Sequence, residues 1–197
     1  MKKVIFATSN EGKMKEIREI MKDMDIEMFS LKDAGLNPDI DENGKTFEEN
    51  AIIKARQVME LTGEIVMADD SGIEIDYLDK APGVYSARFL GENTPYDIKN
   101  QYIIDKLAEA KDEERTARFV CVIACAFPDG RILTTEGTIE GYIAKKISGS
   151  NGFGYDSIFY VPEYNCTTAE MAPELKNEIS HRAKALRKMK ETLRNYL

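Results

Sequence analysis

The chain predicts an α/β protein built on a mixed β-sheet. Apolar runs of strand length alternate with segments whose apolar residues recur at helical spacing, the pattern of βα units. Two long runs, Ala117 to Phe127 and Arg131 to Gly141, are separated only by the turn Pro128-Asp129-Gly130, which reads as a hairpin. βα units and a hairpin together give strands of mixed direction. The 197 residues, 43% hydrophobic, suffice for one substantial core or for two lobes around a cleft, all in one domain over 1–197.

The elements follow in order. Lys3 to Thr8 is the first predicted strand, and Asn10-Glu11-Gly12 is a tight connection. Ile17, Ile20, Met21 and Met24 share one helical face, predicting a helix from Lys13 to Met24. Ile26 to Leu31 is a weaker strand. Gly35 to Lys45 is polar, holds Pro38 and Gly44, and reads as a loop. Thr46 with Glu49 fits a capping box, and Phe47, Ala51, Ala55, Val58 and Met59 form the apolar face of the helix behind it, up to Gly63. Ile65-Val66-Met67-Ala68 reads as a buried strand running into an acidic turn, Asp69-Asp70-Ser71-Gly72, with a further strand at Ile73 to Tyr77. Ala81-Pro82-Gly83 breaks the pattern. Thr94-Pro95 opens a helix to Ala110, with proline in the first helical position. Asp112-Glu113-Glu114 is a solvated link into the hairpin. Ser148 to Gly152 is a flexible loop. Ser180 caps a last helix to Tyr196, with Leu186, Met189, Leu193 and Leu197 inward.

Composition narrows the function. A net charge of −8 argues against coating nucleic acid, which needs many cations on one face, but leaves room for a small anionic ligand. No apolar run is long enough to span a membrane, and the apolar start turns polar too soon for a secretory signal. Cys121, Cys125 and Cys166 lack the paired spacing of a zinc site, and His181 is the single histidine, which excludes a histidine-cluster metal site. Reduced thiols in a cytoplasmic protein fit this usage.

Four clusters could carry chemistry. Thr8-Ser9-Asn10-Glu11-Gly12-Lys13 lies between a strand and a helix, where free N–H groups attract phosphate and Lys13 adds a full charge; an ordinary N-cap explains Ser9 and Asn10 equally well. It is not a Walker loop, because G-x-x-x-x-G-K-[ST] fails at Ala7 and Met14. Asp69 and Asp70, with Asp39, Asp41 and Glu42 in the preceding loop, offer hard oxygen ligands suited to Mg²⁺, although solvated charge is the plainer reading of Asp39 and Asp41. Adjacent carboxylates repel, and a chain tolerates them where a cation or a proton transfer uses the charge. In Gly152-Phe153-Gly154-Tyr155-Asp156 two glycines let backbone approach a ligand and the aromatics offer a face for a flat base; a turn with aromatic core anchors fits the same residues. In Lys176-Asn177-Glu178-Ile179-Ser180-His181-Arg182, cations converge at a helix start, which is unfavourable unless an anion or a base edge faces them. No serine or cysteine has an activating histidine, so hydrolysis by an activated water is preferred.

These clusters, in this order, resemble the inosine triphosphate pyrophosphatase family, which hydrolyses nonstandard purine nucleoside triphosphates. The resemblance runs through Thr8–Lys13, Thr46-Phe47-Glu48-Glu49-Asn50-Ala51, Ala68-Asp69-Asp70-Ser71-Gly72, Ala81-Pro82-Gly83-Val84-Tyr85-Ser86-Ala87-Arg88-Phe89, Gly152–Asp156 and Lys176–Ala183, nearly the whole chain. It implies an elongated mixed sheet flanked by helices, two lobes with a central cleft, and a homodimer. It implies hydrolysis of ITP, dITP and XTP to the monophosphate and pyrophosphate with Mg²⁺. Asp70 matches the proton acceptor, and Asp70 and Glu42 match positions linked to the metal. Thr8, Ser9, Asn10, Glu11, Gly12 and Lys13 match the triphosphate loop, with Ser71 beside the acid. Phe153, Gly154, Tyr155 and Asp156 match the base-binding segment, and Lys176, His181 and Arg182 the group that reads the purine. The family usually has proline where this chain has Ser157, which bears on the order of that loop. Two other readings stand beside this one: a pyrophosphatase for pyrimidine or modified-base nucleotides, and a nucleotide sensor without turnover.

Overall fold

The computed structural model describes residues 1–197. Its strands are β1 (Lys2–Phe6), β2 (Ile26–Ser30), β3 (Ile65–Ile75), β4 (Thr116–Ala126), β5 (Ile132–Ile143), β6 (Phe159–Val161) and β7 (Cys166–Thr167). Its helices are α1 (Glu11–Met21), α2 (Phe47–Thr62), α3 (Tyr96–Lys106), α4 (Pro173–Ile179) and α5 (His181–Leu193). The strands form one sheet in the order β2-β1-β3-β4-β5-β6-β7. β1 pairs in parallel with β2 and β3, with Val4 opposite Met28 and Ile65. β6 pairs antiparallel with β5 and β7. The sheet is therefore mixed and carries flanking helices, as the sequence predicts.

One expectation fails where it matters most. Asp69 to Gly72 do not turn: β3 runs unbroken from Ile65 to Ile75. β1 pairs with only Ile65–Met67 of this strand, whose other neighbour is β4, so pairing on the β4 side outweighs the turn preference of Asp, Ser and Gly. The acid pair thus sits inside a strand, not at its end. Three smaller corrections follow. Pro95 is the N-cap residue of α3 and not its first helical residue. Thr46 Oγ1 accepts the Glu49 N–H as expected, but Glu49 Oε2 accepts from Lys45 N–H and so caps one residue earlier. Lys176 belongs to a separate helix, α4, ahead of α5; Pro173 at its first turn could have signalled it. The short β6 and β7 carry too few residues for a period to be read.

The chain divides into two compact units: residues 1–70, 121–137 and 181–197 form the first, and 71–120 with 138–180 the second. Three of the four divisions fall inside β3, β4 and β5, and the fourth lies between α4 and α5. In the first unit Val4, Phe6, Met67, Ile123 and Cys125 pack with Met14 and Ile17 of α1 and Leu186, Met189 and Leu193 of α5. Burial pushes the Cys121 and Cys125 thiols up to about 12, so both are inert apolar packing at neutral pH.

In the second unit Ile73, Ile75, Ile103, Leu107, Phe119, Ile158 and Phe159 form the core. Arg115 is buried there and donates to three carbonyls: Leu107 O at 2.6 Å, Ile143 O at 2.8 Å and Ala144 O at 3.0 Å. Burial lowers its pKa, with Asp112 acting the other way. Arg115→Met would take a donor from all three carbonyls, of which Leu107 O keeps the Ala110 N–H at 3.1 Å, and each buried group left unsatisfied costs about 1–3 kcal/mol. The variant is expected to lose about 3 kcal/mol or more in urea denaturation; a loss below about 1 kcal/mol would show that water replaces the guanidinium. No helix is long and apolar enough to cross a membrane.

Candidate active site

Side chains alternate along a strand, so Asp69 and Asp70 point to opposite faces of β3. Each meets a different helix. Asp69 faces α1 and α5. Its carboxylate receives Lys13 Nζ at 3.2 and 3.0 Å and Arg182 Nε and Nη2 at 3.4 Å each, and Arg182 Nη1 also reaches Glu16 at 3.1 Å. Asp69 is only 2% exposed. Burial alone would raise its pKa, but Lys13, Arg182 and Lys54 together hold it well below the usual carboxylate range. Asp69 is a permanently ionised anchor.

Asp70 faces α2. Its Oδ1 lies 3.4 Å from Lys54 Nζ and its Oδ2 accepts from Asn50 Nδ2 at 3.2 Å. Lys54 Nζ also reaches Glu42 Oε2 at 3.1 Å, so one ammonium bridges the two acids. Burial is the largest influence on Asp70 and raises its pKa, and repulsion from Glu42 and Asp69 adds to it, against Lys54 and Asn50. Lys54 is itself raised: burial opposes its charge, but Asp70, Asp69 and Glu42 outweigh that. Two adjacent aspartates thus differ in kind, one locked as an anion and one held above the usual carboxylate range. Sequence reasoning missed Lys54 and gave Asn50 no role. Their spacing of four along α2 was the available signal, since it puts both on one side of that helix.

The loop before α1 shows which of its two readings applies to each residue. Thr8 Oγ1 accepts the Asn10 N–H at 3.2 Å, and Asn10 Oδ1 accepts the Lys13 N–H at 3.1 Å, so Asn10 is the N-cap. Ser9, Glu11 and Gly12 are exposed. Lys13 serves as the link from this loop to Asp69.

In the second unit Asp156 organises the Gly152–Tyr155 segment. It is buried, and its Oδ2 accepts the Phe153 N–H at 2.9 Å and Lys176 Nζ at 2.6 Å while Oδ1 accepts Thr168 Oγ1 at 2.8 Å. Gly152 has φ +75°, and a Cβ there would stand 2.2 Å from Asp156 Oδ2, so this position requires glycine. The two aromatics part company. Tyr155 is a core anchor, 4% exposed, donating its hydroxyl to Ser86 O at 2.6 Å and meeting Tyr96 edge-on at 5.3 Å. Phe153 is 46% exposed, and Lys176 Nζ stands 5.2 Å from its ring centroid. Ser157 supplies a tie that proline could not: its Oγ accepts from Asn100 Nδ2 at 3.1 Å, and the same amide reaches Gly154 O at 3.0 Å.

Contrary to the sequence expectation, Lys176, His181 and Arg182 do not share one helix start. Lys176 lies in the last turn of α4, where a cation is favourable, and is paired with Asp156. His181 and Arg182 open α5 and are buried, Arg182 with two carboxylate partners. The α5 start rests against β5 at Gly137, where a Cβ would lie 2.2 Å from His181 O.

The oxygen set around Lys54 suits a hard divalent cation, because Glu42 and Asp70 already share one positive charge. No three His, Cys, Asp or Glu residues gather at one point. Such an ion would draw its remaining ligands from water and phosphate, as Mg²⁺ usually does.

Fold and site define a mixed α/β protein with an acid–lysine centre on the interior strand β3 and, in the same unit, a loop at a helix N-terminus suited to anions. The sequence profile of the Ham1 family matches residues 4–192, and the chain belongs to that family. It is 47% identical to a dITP/XTP pyrophosphatase of Clostridium perfringens, covering all of both chains. It is 49% identical to another so named from Desulforamulus reducens, over 97% of this chain and 95% of that one. Among solved structures, a HAM1 protein from Coxiella burnetii superimposes with a TM-score of 0.92 at 42% identity, over 99% of this chain and 100% of the other.

Proposed function

We propose that the protein hydrolyses ITP, dITP and XTP to the nucleoside monophosphate and pyrophosphate, with residues 1–197 acting as one catalytic domain and two copies forming a homodimer in the cytoplasm. The observation that carries this reading is the split between the two aspartates: Asp70 alone combines a raised pKa with a bridging cation. The names of the relatives at 47% and 49% identity agree with it.

In this scheme the Thr8–Lys13 loop and Ser71 hold the triphosphate. Asp70 takes a proton from the water that attacks the α-phosphorus, and the bond from that phosphorus to the pyrophosphate oxygen breaks. Lys54 stabilises the negative charge of the acids and keeps Asp70 oriented. Asp70 and Glu42 would hold Mg²⁺, which when bound supplies charge neutralisation on the phosphates. Asp69 stays ionised and holds Lys13, so it does not compete for the proton.

The base is assigned to the segments the sequence singled out for it. Phe153 offers a stacking face, with Gly154 allowing close approach and Tyr155 and Asp156 holding the segment in shape. Lys176, His181 and Arg182 are the donors assigned to the 6-oxygen of the purine; of these, Arg182 is the most committed to the protein's own carboxylates. Adenine presents an amino donor at that position, and leaving it unpaired costs about 1–3 kcal/mol, roughly tenfold or more in discrimination.

The deciding assay offers ITP, XTP, ATP and GTP with Mg²⁺ and measures pyrophosphate; equal or absent release from all four rejects the specificity. Adding dTTP and dUTP separates the pyrimidine alternative. Phe153→Ala is expected to raise KM for ITP by about tenfold with kcat little changed, since stacking contributes roughly 1–3 kcal/mol per base. An unchanged KM would place the base elsewhere.

A further inference from the structure

Asn50 is 1% exposed on α2 and makes two hydrogen bonds of opposite sense. Its Oδ1 accepts the Gly44 N–H at 2.8 Å, which fixes the orientation of the amide and turns Nδ2 toward Asp70 Oδ2 at 3.2 Å. Gly44 lies two residues beyond Glu42 in the loop that leads into α2. A Cβ on Gly44 would stand 2.6 Å from Asn50 Oδ1, 2.9 Å from Asn50 N and 2.8 Å from Glu49 Cβ, so only glycine lets this loop lie so close to the first turn of the helix. One turn along α2, Lys54 reaches Glu42 at 3.1 Å and Asp70 at 3.4 Å. The contacts close a ring: Glu42, Gly44, Asn50, Asp70, Lys54 and back to Glu42.

We infer that Asn50 is a positioning residue that ties the Glu42 loop to the Asp70 carboxylate, holding the two acids toward one cation. This rests on the reading of Asp70 given above. A tie serving only the loop would need the Gly44 bond alone. The second bond, to Asp70, sets the carboxylate that the chemistry uses. Partners of this kind, which touch a ligating group and not the ligand, typically change metal affinity or activity 10- to 100-fold.

The experiment compares Asn50→Leu, Gly44→Ala and the double variant in the full-length protein with ITP and Mg²⁺. Each single change is expected to lower kcat about 10- to 100-fold while KM for ITP stays within about threefold. Both break the same link, so the double variant should be no slower than the slower single one. Mn²⁺ affinity, read by electron paramagnetic resonance with the α,β-methylene analogue of ITP bound, should weaken about tenfold or more. Asn50→Asp keeps the acceptor for Gly44 and loses the donor to Asp70; it should lose kcat likewise and decides the matter if Asn50→Leu does not fold. Wild-type kcat in a folded Asn50 variant, or single effects that multiply in the double one, overturns the inference while leaving the Asp70 reading in place. Full turnover in Asp70→Asn would overturn both.

Discussion

Replacing Asp70 by asparagine is expected to reduce pyrophosphate release by about a thousandfold while ITP binding stays within a few-fold, because in the proposed scheme Asp70 is both general base and metal ligand. Shape is kept; the single amide oxygen can accept from Asn50 or from Lys54, and Lys54 also keeps Glu42. Binding is checked by titrating nucleotide into the inactive variant, and turnover by pyrophosphate release. Retained turnover would move the proton acceptor elsewhere; lost binding with lost turnover would make Asp70 a structural acid. The same variant should be more stable than the parent. Burial first, then Glu42 and Asp69, raises the Asp70 pKa, so the folded protein holds that proton more tightly than the unfolded chain. Ionised Asp70 therefore costs stability at neutral pH, and the penalty fades as pH drops below the raised value. Asparagine carries no such penalty and should lift the melting midpoint of the metal-free protein. For the parent enzyme, kcat/KM should fall on the acid side as pH passes down through the raised pKa, which lies above the ordinary aspartate value of 3.8.

The second large effect concerns Arg182. Arg182→Met takes one cation from buried Asp69, which keeps Lys13, and removes the Glu16 contact, and breaking a buried ion pair by removing one partner costs about 3–5 kcal/mol. Urea denaturation should show a loss of that size. Pairing it with Asp69→Asn should cost less than the sum of the two single changes, since one network is broken twice. Strict additivity would mean that the two side chains act independently despite their contact. The pH dependence has the opposite sense to that of Asp70. The Asp69 pKa is depressed, so its contribution to stability is complete above its unfolded pKa and is lost as pH falls toward its folded value.

Much of the fold was legible because the apolar periodicities are strong. Val4 to Phe6, the Ile17 and Met21 face, and the Leu186, Met189, Leu193 stripe are buried where the patterns place them. What could not be read was decided by partners distant in sequence. Asp69 to Gly72 carry turn preferences, and only the flanking strands and the cations of α1, α2 and α5 make an acid pair tenable inside a strand. Asn50 and Lys54 stood in plain view at helical spacing, but their meaning depends on a carboxylate twenty and sixteen residues away. The tyrosine of the Gly152–Asp156 segment read as a ligand contact because composition does not separate a core aromatic from an exposed one; its neighbour Phe153 fulfils the exposed role. The loop before α1 was readable as a strand-to-helix connection, yet the capping task of Asn10 became visible only with its bond to the Lys13 N–H.

The alternation along β3 makes identity a matter of parity. Two chemically equal residues acquire unlike duties because one carries an odd number and the other an even one, and the pleat sends them to different company. Deleting a single residue upstream, between Ile65 and Ala68, would leave the dipeptide intact yet exchange its tenants: the anchor would face the lysine of α2 and the proton carrier would be clamped by the arginine of α5. A sequence motif recording only two aspartates would not register that swap, though the chemistry would be gone.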